Sequence, residues 1–223
     1  MIGCISLARE TFDIKFAKKK LVKTKRTIKK LHKNINFFDN LITNDEIGES
    51  ALKHYENSKC TKFIVIQSTF TDAKFISSFV KKFKKPILFI SFKEKRSGGR
   101  LRLNSLCGVN LGLHALIKNK FYSNFIIYTN DEQSFSKEIL KFIKTNNSFT
   151  KKNYLKKINS KLVNKKIIEF KKPKLGLIGK RPEGFDTCDF NNEELKSKFN
   201  AKLAKIKLQS LFNISRKVDK KII

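Results

Sequence analysis

Short apolar runs alternate with longer amphipathic stretches along most of this chain, and that alternation restricts its fold more than any other feature. Ile2–Leu7, Lys62–Gln67 and Ile87–Phe92 are apolar almost throughout, which predicts strands covered on both faces. Phe12–Leu31, Asp45–Asn57 and Asp72–Phe83 instead repeat apolar residues every three or four positions, which predicts helices. In the third of these, Phe75, Ile76, Phe79, Val80 and Phe83 share one face, and Pro86 stops the run. Ile35–Phe38 predicts a short strand, Leu103–Lys118 a helix, Asn124–Tyr128 a strand and Glu132–Thr145 a helix. Five strand–helix units imply an α/β domain over residues 1–146, built as a flavodoxin-like doubly wound parallel sheet.

Residues 147–173 are polar and basic and read as a connector, with an amphipathic helix carried by Tyr154, Leu155, Ile158 and Leu162. After Pro173 the alternation restarts, with strands at Lys174–Ile178 and Leu203–Leu208 and helices at Glu193–Phe199 and Ser210–Lys217. Two strands and two helices cannot cover both faces of a parallel sheet. Residues 174–223 are therefore expected to be the incomplete start of a second α/β domain, from a truncated or split gene or completed by another chain.

Charge is the next constraint. The chain carries 50 Lys plus Arg against 19 Asp plus Glu, for a net charge of +31. Taken alone, that favours an anionic partner such as nucleic acid. Only seven of the 50 are arginine, however: Arg9, Arg26, Arg96, Arg100, Arg102, Arg181 and Arg216. Readers of base edges depend on the bidentate guanidinium fork. The chain is also rich in Phe, Ile and Asn, which share A/T-rich codons with Lys, so a biased genome accounts for the composition. No nucleic-acid partner is expected on this ground, although a basic nucleic-acid-binding protein stays an alternative. Cys4, Cys60, Cys107 and Cys188 form no Cys-x-x-Cys pair and have no zinc-site spacing with His32, His54 or His114. Scattered thiols, no signal-peptide pattern and no apolar run near the ~20 residues of a membrane span predict a cytoplasmic protein with no membrane partner.

In open α/β sheets the ligand crevice lies beyond the carboxyl ends of the strands. Three predicted loops there are polar: Arg9–Asp13, Gln67–Asp72 and Glu94–Gly108. Thr71 or Asp72 could serve as a helix cap instead of a ligand. Gly98 and Gly99 allow a close backbone approach, and Arg100 and Arg102 follow at once. Five of the arginines (Arg9, Arg96, Arg100, Arg102 and Arg181) fall in strand-to-helix loops. Guanidinium forks suit hydroxyl-rich or anionic ligands, or charge pairs across an interface. The helix after the glycines places Cys107, Asn110 and His114 on one face, with Gly108 and Gly112 on a smooth packing surface. Further on, Pro182 and Gly184 shape a turn holding Arg181 and Asp186, and Asn191 with Glu194 reads as a helix start. No glycine fingerprint for a nucleotide and no nucleophile–base pair is present in the pattern.

Four segments resemble the amino-terminal part of fucose/arabinose isomerase-like proteins: Ala8–Asp13, Gln67–Ala73, Gly98–His114 and Gly179–Cys188. They occur in the family's order, and the run from Gly98 to His114 is the most specific of them. The resemblance implies a metal-dependent aldose–ketose isomerase, an intramolecular oxidoreductase of carbohydrate metabolism using Mn²⁺ or a similar divalent cation. It implies a sugar substrate, and a homo-oligomer or a complementing C-terminal chain as partner. It also implies that the metal ligands lie outside this chain, so no catalytic or metal residue is assigned and activity alone is not expected. By this likeness the substrate-binding candidates are Arg9, Gln67, Arg100, Asn104, Asn110 and His114 in the first domain, with Arg181 and Asp186 in the second. His114 and its preceding loop would act on a neighbouring subunit. The alternative from a different class is a non-catalytic α/β module that binds a sugar or a protein.

Overall fold

All six residues of β1 (Ile2–Leu7) are buried, and β3 (Lys62–Gln67) is buried along its whole length in the same way. Such runs cannot face water on either side, so they take interior places in a parallel sheet. In the computed structural model, β1, β2 (Ile35–Ile42), β3, β4 (Ile87–Ser91) and β5 (Asn124–Tyr128) form one five-stranded parallel sheet in the order β2-β1-β3-β4-β5. This is the flavodoxin-like order, and it reverses between β1 and β3. The structure describes residues 1–94, 98–121, 124–128, 132–145 and 173–218. Within it the chain divides into two compact units, Met1–Asn153 and Tyr154–Ile223. The expected connector over 147–173, with its Tyr154–Leu162 helix, lies outside the described residues apart from Pro173, as does Arg96.

Helices cover both faces of the first sheet. On one, Ala17, Leu21 and Ile28 of α1 (Ile14–Leu31) and Ile139 and Phe142 of α5 (Glu132–Lys144) pack with Ile2, Cys4, Ile64, Ile66, Leu88 and Ile90. α2 (Asp45–Glu56), α3 (Lys74–Phe83) and α4 (Ser105–Lys118) follow one another as packed neighbours. There Tyr55, Phe63, Phe79 and Phe83 meet as a chain of aromatic rings 4.8–6.5 Å apart. α4 lies close to the sheet because Gly108 and Gly112 face inward. A Cβ at Gly112 would stand 3.0 Å from the Phe89 ring.

Among the boundaries that differ from expectation, two have a clear local cause. β2 continues past Phe38 to Ile42, because its pairing with β1 slips: Cys4 partners Phe37, and Ser6 then partners Leu41. The polar Asp39 and Asn40 sit in this irregularity, so they interrupt the apolar pattern without ending the strand. α1 begins at Ile14 and not Phe12, because Asp13 is its cap and accepts the Phe16 N–H at 2.9 Å.

The second unit has two parallel strands, β6 (Lys174–Ile178) and β7 (Lys202–Ile206), with α6 (Asn192–Phe199) between them in sequence and α7 (Leu208–Ser215) after them. Asn191 caps α6, its Oδ1 accepting from Glu193 N at 2.8 Å and Glu194 N at 3.2 Å. Neither of these two helices contains a buried residue, and Phe212 and Ile214 are 48% and 62% exposed. Among the described residues no helix is long and apolar enough to cross a membrane.

Candidate functional site

The strand order brings the loops after β1, β3 and β4 together at the carboxyl rim of the first sheet, at the β1/β3 reversal point. Main-chain bonds join them: Ser68 N donates to Leu7 O (2.8 Å), Phe70 N to Leu103 O (2.7 Å) and Asp13 N to Arg102 O (3.0 Å). Side chains complete the weave. Arg9 N donates to Thr69 Oγ1 at 2.7 Å, and the Arg9 guanidinium meets Asp72 Oδ2 at 2.6 Å. Arg102 holds Asp13 Oδ2 through Nε (2.9 Å) and a terminal nitrogen (2.6 Å). Arg100 donates to the Thr11 carbonyl at 3.1 Å.

Each of these three arginines also lies against an aromatic ring. Arg9 is 5.6 Å from the centre of Phe70, Arg100 is 5.1 Å from Phe12 and Arg102 is 3.9 Å from Phe16. Phe12 and Phe70 in turn contact one another at 5.8 Å. Stacking fixes each guanidinium plane, and Lys cannot substitute for Arg at such a site. That explains why a Lys-rich chain spends three of its few arginines here.

The arginine-bearing loop is closed at its base by Glu94. Its two carboxylate oxygens accept Leu103 N at 2.8 Å and Asn104 N at 2.7 Å. Asn104 takes a left-handed backbone (φ 50°) and opens α4 without a side-chain cap bond. Ser105 ties the helix start to β4: its hydroxyl accepts from Phe92 N (2.9 Å) and lies 3.0 Å from Ser91 Oγ.

The eight expected substrate-binding residues separate in this structure. Arg9, Arg100 and Asn104 gather at the rim. Gln67 is also there but fully buried. Its amide nitrogen donates to Thr69 O (2.7 Å) and Thr71 Oγ1 (2.9 Å), so it shapes the rim from beneath. Its Oε1 is buried with no hydrogen-bond partner. Asn110 is exposed and His114 half-buried, and both lie along α4 away from its start. At ~1.5 Å rise per residue, His114 is roughly 13 Å below the rim. Neither residue joins the Arg9–Arg100–Arg102 group. They belong to the outer face of α4, with exposed Leu106 and Ile117 and half-buried Leu113. In the second unit Arg181 reaches Asp189 at 3.8 Å. Asp186 opens a short 3-10 turn, Asp186–Cys188, and its side chain lies outside the described part.

Several residues that build the rim were not on the expected list: Asp13, Glu94, Thr69, Asp72, Phe12 and Phe70. Their signal was present as acids and aromatics lying in the same loops as the arginines. Of the two cap candidates, Asp72 Oδ1 accepts Lys74 N (3.0 Å), while Thr71 serves Gln67. Cys4 is buried inside the sheet, and that burial pushes its thiol up to about 12. Among the described residues, no three His, Cys, Asp or Glu side chains come together as a metal ion needs. A divalent cation therefore does not fit the described residues of the rim.

A parallel sheet with this order is common to many α/β proteins, and sequence comparison separates them. Residues 3–151 match the family model described as the N-terminal domain of fucose/sulfoquinovose isomerase. The chain belongs to the fucose/sulfoquinovose isomerase family. Among this family's curated members, the sulfoquinovose isomerases of Priestia aryabhattai and Priestia megaterium are each 28% identical to it over 208 residues. Those alignments cover 93% of this chain and 43% of each relative. The sulfoquinovose isomerase of Alkalicoccus urumqiensis is 29% identical over 150 residues, covering 67% of this chain and 30% of the relative. The chain thus spans less than half the length of the curated relatives it matches, and the family domain coincides with the first unit and its rim.

Proposed function

We propose that this chain supplies the N-terminal portion of an aldose–ketose isomerase, with the carboxyl rim of its first sheet as a sugar-binding surface. The observation that carries this reading is the agreement between the family match over residues 3–151 and the convergence of Arg9, Arg100 and Asn104 at the reversal point of that sheet. Guanidinium groups held on rings and a carbonyl suit the many oxygens of a sugar. Preorganised donors of this kind lower the ordering cost of binding.

In this reading the residues of the first unit bind and orient, and Gln67 and Glu94 support the rim. Mn²⁺ or a similar cation belongs to the whole enzyme and would polarise sugar oxygens when bound. The outer face of α4 supports the expectation of a second chain, either another copy or a complementing C-terminal chain. From Ser105 to Ile117 that helix has no charged residue, although 31% of the chain is charged. Its exposed Leu106, Asn110 and Ile117 would pack against the neighbour, and His114 would then serve a site in trans.

The test is turnover by the protein isolated from its own cells together with any chain that accompanies it. With Mn²⁺ present, aldoses should convert to ketoses with solvent deuterium appearing at C1 of the ketose, the mark of proton transfer through an enediol. Sugar binding with no turnover in any assembly would favour the non-catalytic module instead.

A further inference from the structure

The net charge of +31 is not spread evenly over the fold. α1 has nine basic residues among its 18 and no acid, whereas α2, another surface helix of the first sheet, has four acids and one lysine. Codon bias raises lysine on every exposed face alike, so it does not explain that contrast. Lys20 lies over the rings of Phe16 and Phe92, and Lys25 reaches the Phe38 carbonyl, so these two serve the fold. Lys19, Lys23, Arg26 and Lys30 are different: all four are exposed, and they recur at i, i+4, i+7 and i+11. That spacing sets them on one side of the helix, opposite the buried Ala17, Leu21 and Ile28. Along the axis they stand roughly 4.5–6 Å apart. α5 packs beside α1 over their shared core and repeats the spacing with exposed Lys137, Lys141 and Lys144. Packed helices lie ~8–10 Å apart, so the outer face of the pair carries two neighbouring basic rows. The acid that α5 adds among its described side chains, Glu138, is half-buried.

A helix that lies in a bilayer interface buries apolar side chains there, and among the described residues of α1 and α5 the exposed large apolar one is Val22. Readers of base edges need arginine forks or aromatic platforms. This face is mostly lysine, with no exposed aromatic ring among its described residues. A double row of compact cations instead matches the repeating phosphates of a nucleic-acid backbone. The distance between the rows falls between the widths of the two grooves of a duplex, about 6 and 12 Å, so each row can meet the phosphates of one strand. We infer that the outer face of α1 and α5 binds the phosphate backbone of duplex nucleic acid without reading its sequence. This surface is separate from the carboxyl rim, and the inference does not depend on the sugar-binding reading.

Fluorescence anisotropy with the 223-residue chain tests this, using labelled DNA and RNA duplexes of about 20 base pairs. Vesicles of one part phosphatidylserine to three parts phosphatidylcholine serve as the membrane probe. At low salt both duplexes should bind with dissociation constants on the order of micromolar, within about fivefold of each other and whatever their sequence. Log affinity should fall against log salt with a slope of about −4 or steeper. Lys19→Gln, Lys23→Gln, Arg26→Gln and Lys30→Gln together keep good helix formers in α1. This variant should bind duplex about tenfold or more weakly, with the slope flattened by about 3. Lys196→Gln, Lys198→Gln, Lys205→Gln and Lys207→Gln together remove the same charge from exposed positions of the second unit. They should change the affinity by less than about threefold. No duplex complex with the native chain at low salt overturns the assignment, as does an equal loss in the two variants. A preference beyond about fivefold for one sequence or for one kind of duplex overturns it as well, because phosphates alone would not give one. Vesicles held more tightly than either duplex would move the surface to a membrane instead.

Discussion

Single residues carry much of what holds the rim and the first unit together, and their effects can be read one at a time. Lys62, at the start of β3, is 8% exposed, and its ammonium donates to the carbonyls of Phe142 (3.0 Å), Ile143 (2.8 Å) and Thr145 (2.6 Å). These are acceptors that the end of α5 leaves without an intrahelical partner. Burial holds the Lys62 ammonium below its ordinary range, yet the three acceptors keep it seated. Lys62→Met should lower the stability of the first unit by about 2 kcal/mol in urea unfolding, with amide exchange at the end of α5 accelerating first. Asp13 gives a pH signature. The Phe16 N–H, and after it Arg102, hold its carboxyl below the ordinary 3.8. The unfolded chain therefore takes up this proton first as the medium is acidified. Stabilisation by Asp13 is complete above the ordinary value and drains away as pH falls toward the lower folded one. The gap in thermal midpoint between the native chain and Asp13→Asn should thus narrow between about pH 5 and pH 3. Legibility at this scale was partial. Arg9 and Arg100 stood out by rarity, whereas Asp13 and Glu94 did not, because a carboxylate's partner across ten or ninety positions leaves no trace in local spacing.

At the scale of elements, periodicity was a reliable guide wherever burial was complete. β1, β3 and β4 are apolar because both faces are covered, so their bounds follow from composition. β2 is an edge strand with an irregular register, and its polar Asp39 and Asn40 hid its second half. For α4, the pattern of glycines foretold a packing surface, while the direction of the helix decided the fate of Asn110 and His114. A helix leaving the rim carries its later residues away from it, and no sequence spacing encodes that distance from the loops of other strands. The fit of α4 is testable at Gly108. A Cβ there would stand 2.7 Å from the amide nitrogen of Gln67, a group already committed to Thr69 and Thr71. Gly108→Ala should destabilise the first unit by roughly 1–3 kcal/mol, and the Thr69 and Thr71 resonances should shift as the rim is displaced. Little change in either would mean that Gln67 is free to move and does not shape the rim.

Across the whole molecule, the two units differ in how well each is held. The first has a continuous core on one face of its sheet and an aromatic cluster of its own. The second exposes apolar side chains from both its strands and its last helix, including Leu175, Ile178, Ile206 and Phe212. Parallel strands are stable only under cover, so amides over residues 173–218 should exchange orders of magnitude faster than those of β1 and β3 in the isolated chain. Comparable protection would mean that this unit is stable as it stands. The five-unit α/β plan could be read directly from the sequence. The order β2-β1-β3-β4-β5 came from a rule about such folds, since no residue pattern states which strands are neighbours. The central claim is that the rim at the β1/β3 reversal point receives a sugar. Mapping amide chemical shifts of the labelled chain during titration with an aldose series, glucose and fucose among them, tests it most directly. Saturable shifts should concentrate at Arg9–Asp13, Ser68–Asp72 and Gly98–Asn104, with the amino ends of the strands unmoved. Saturable shifts confined to α1 or α5, with those three loops silent, would contradict it.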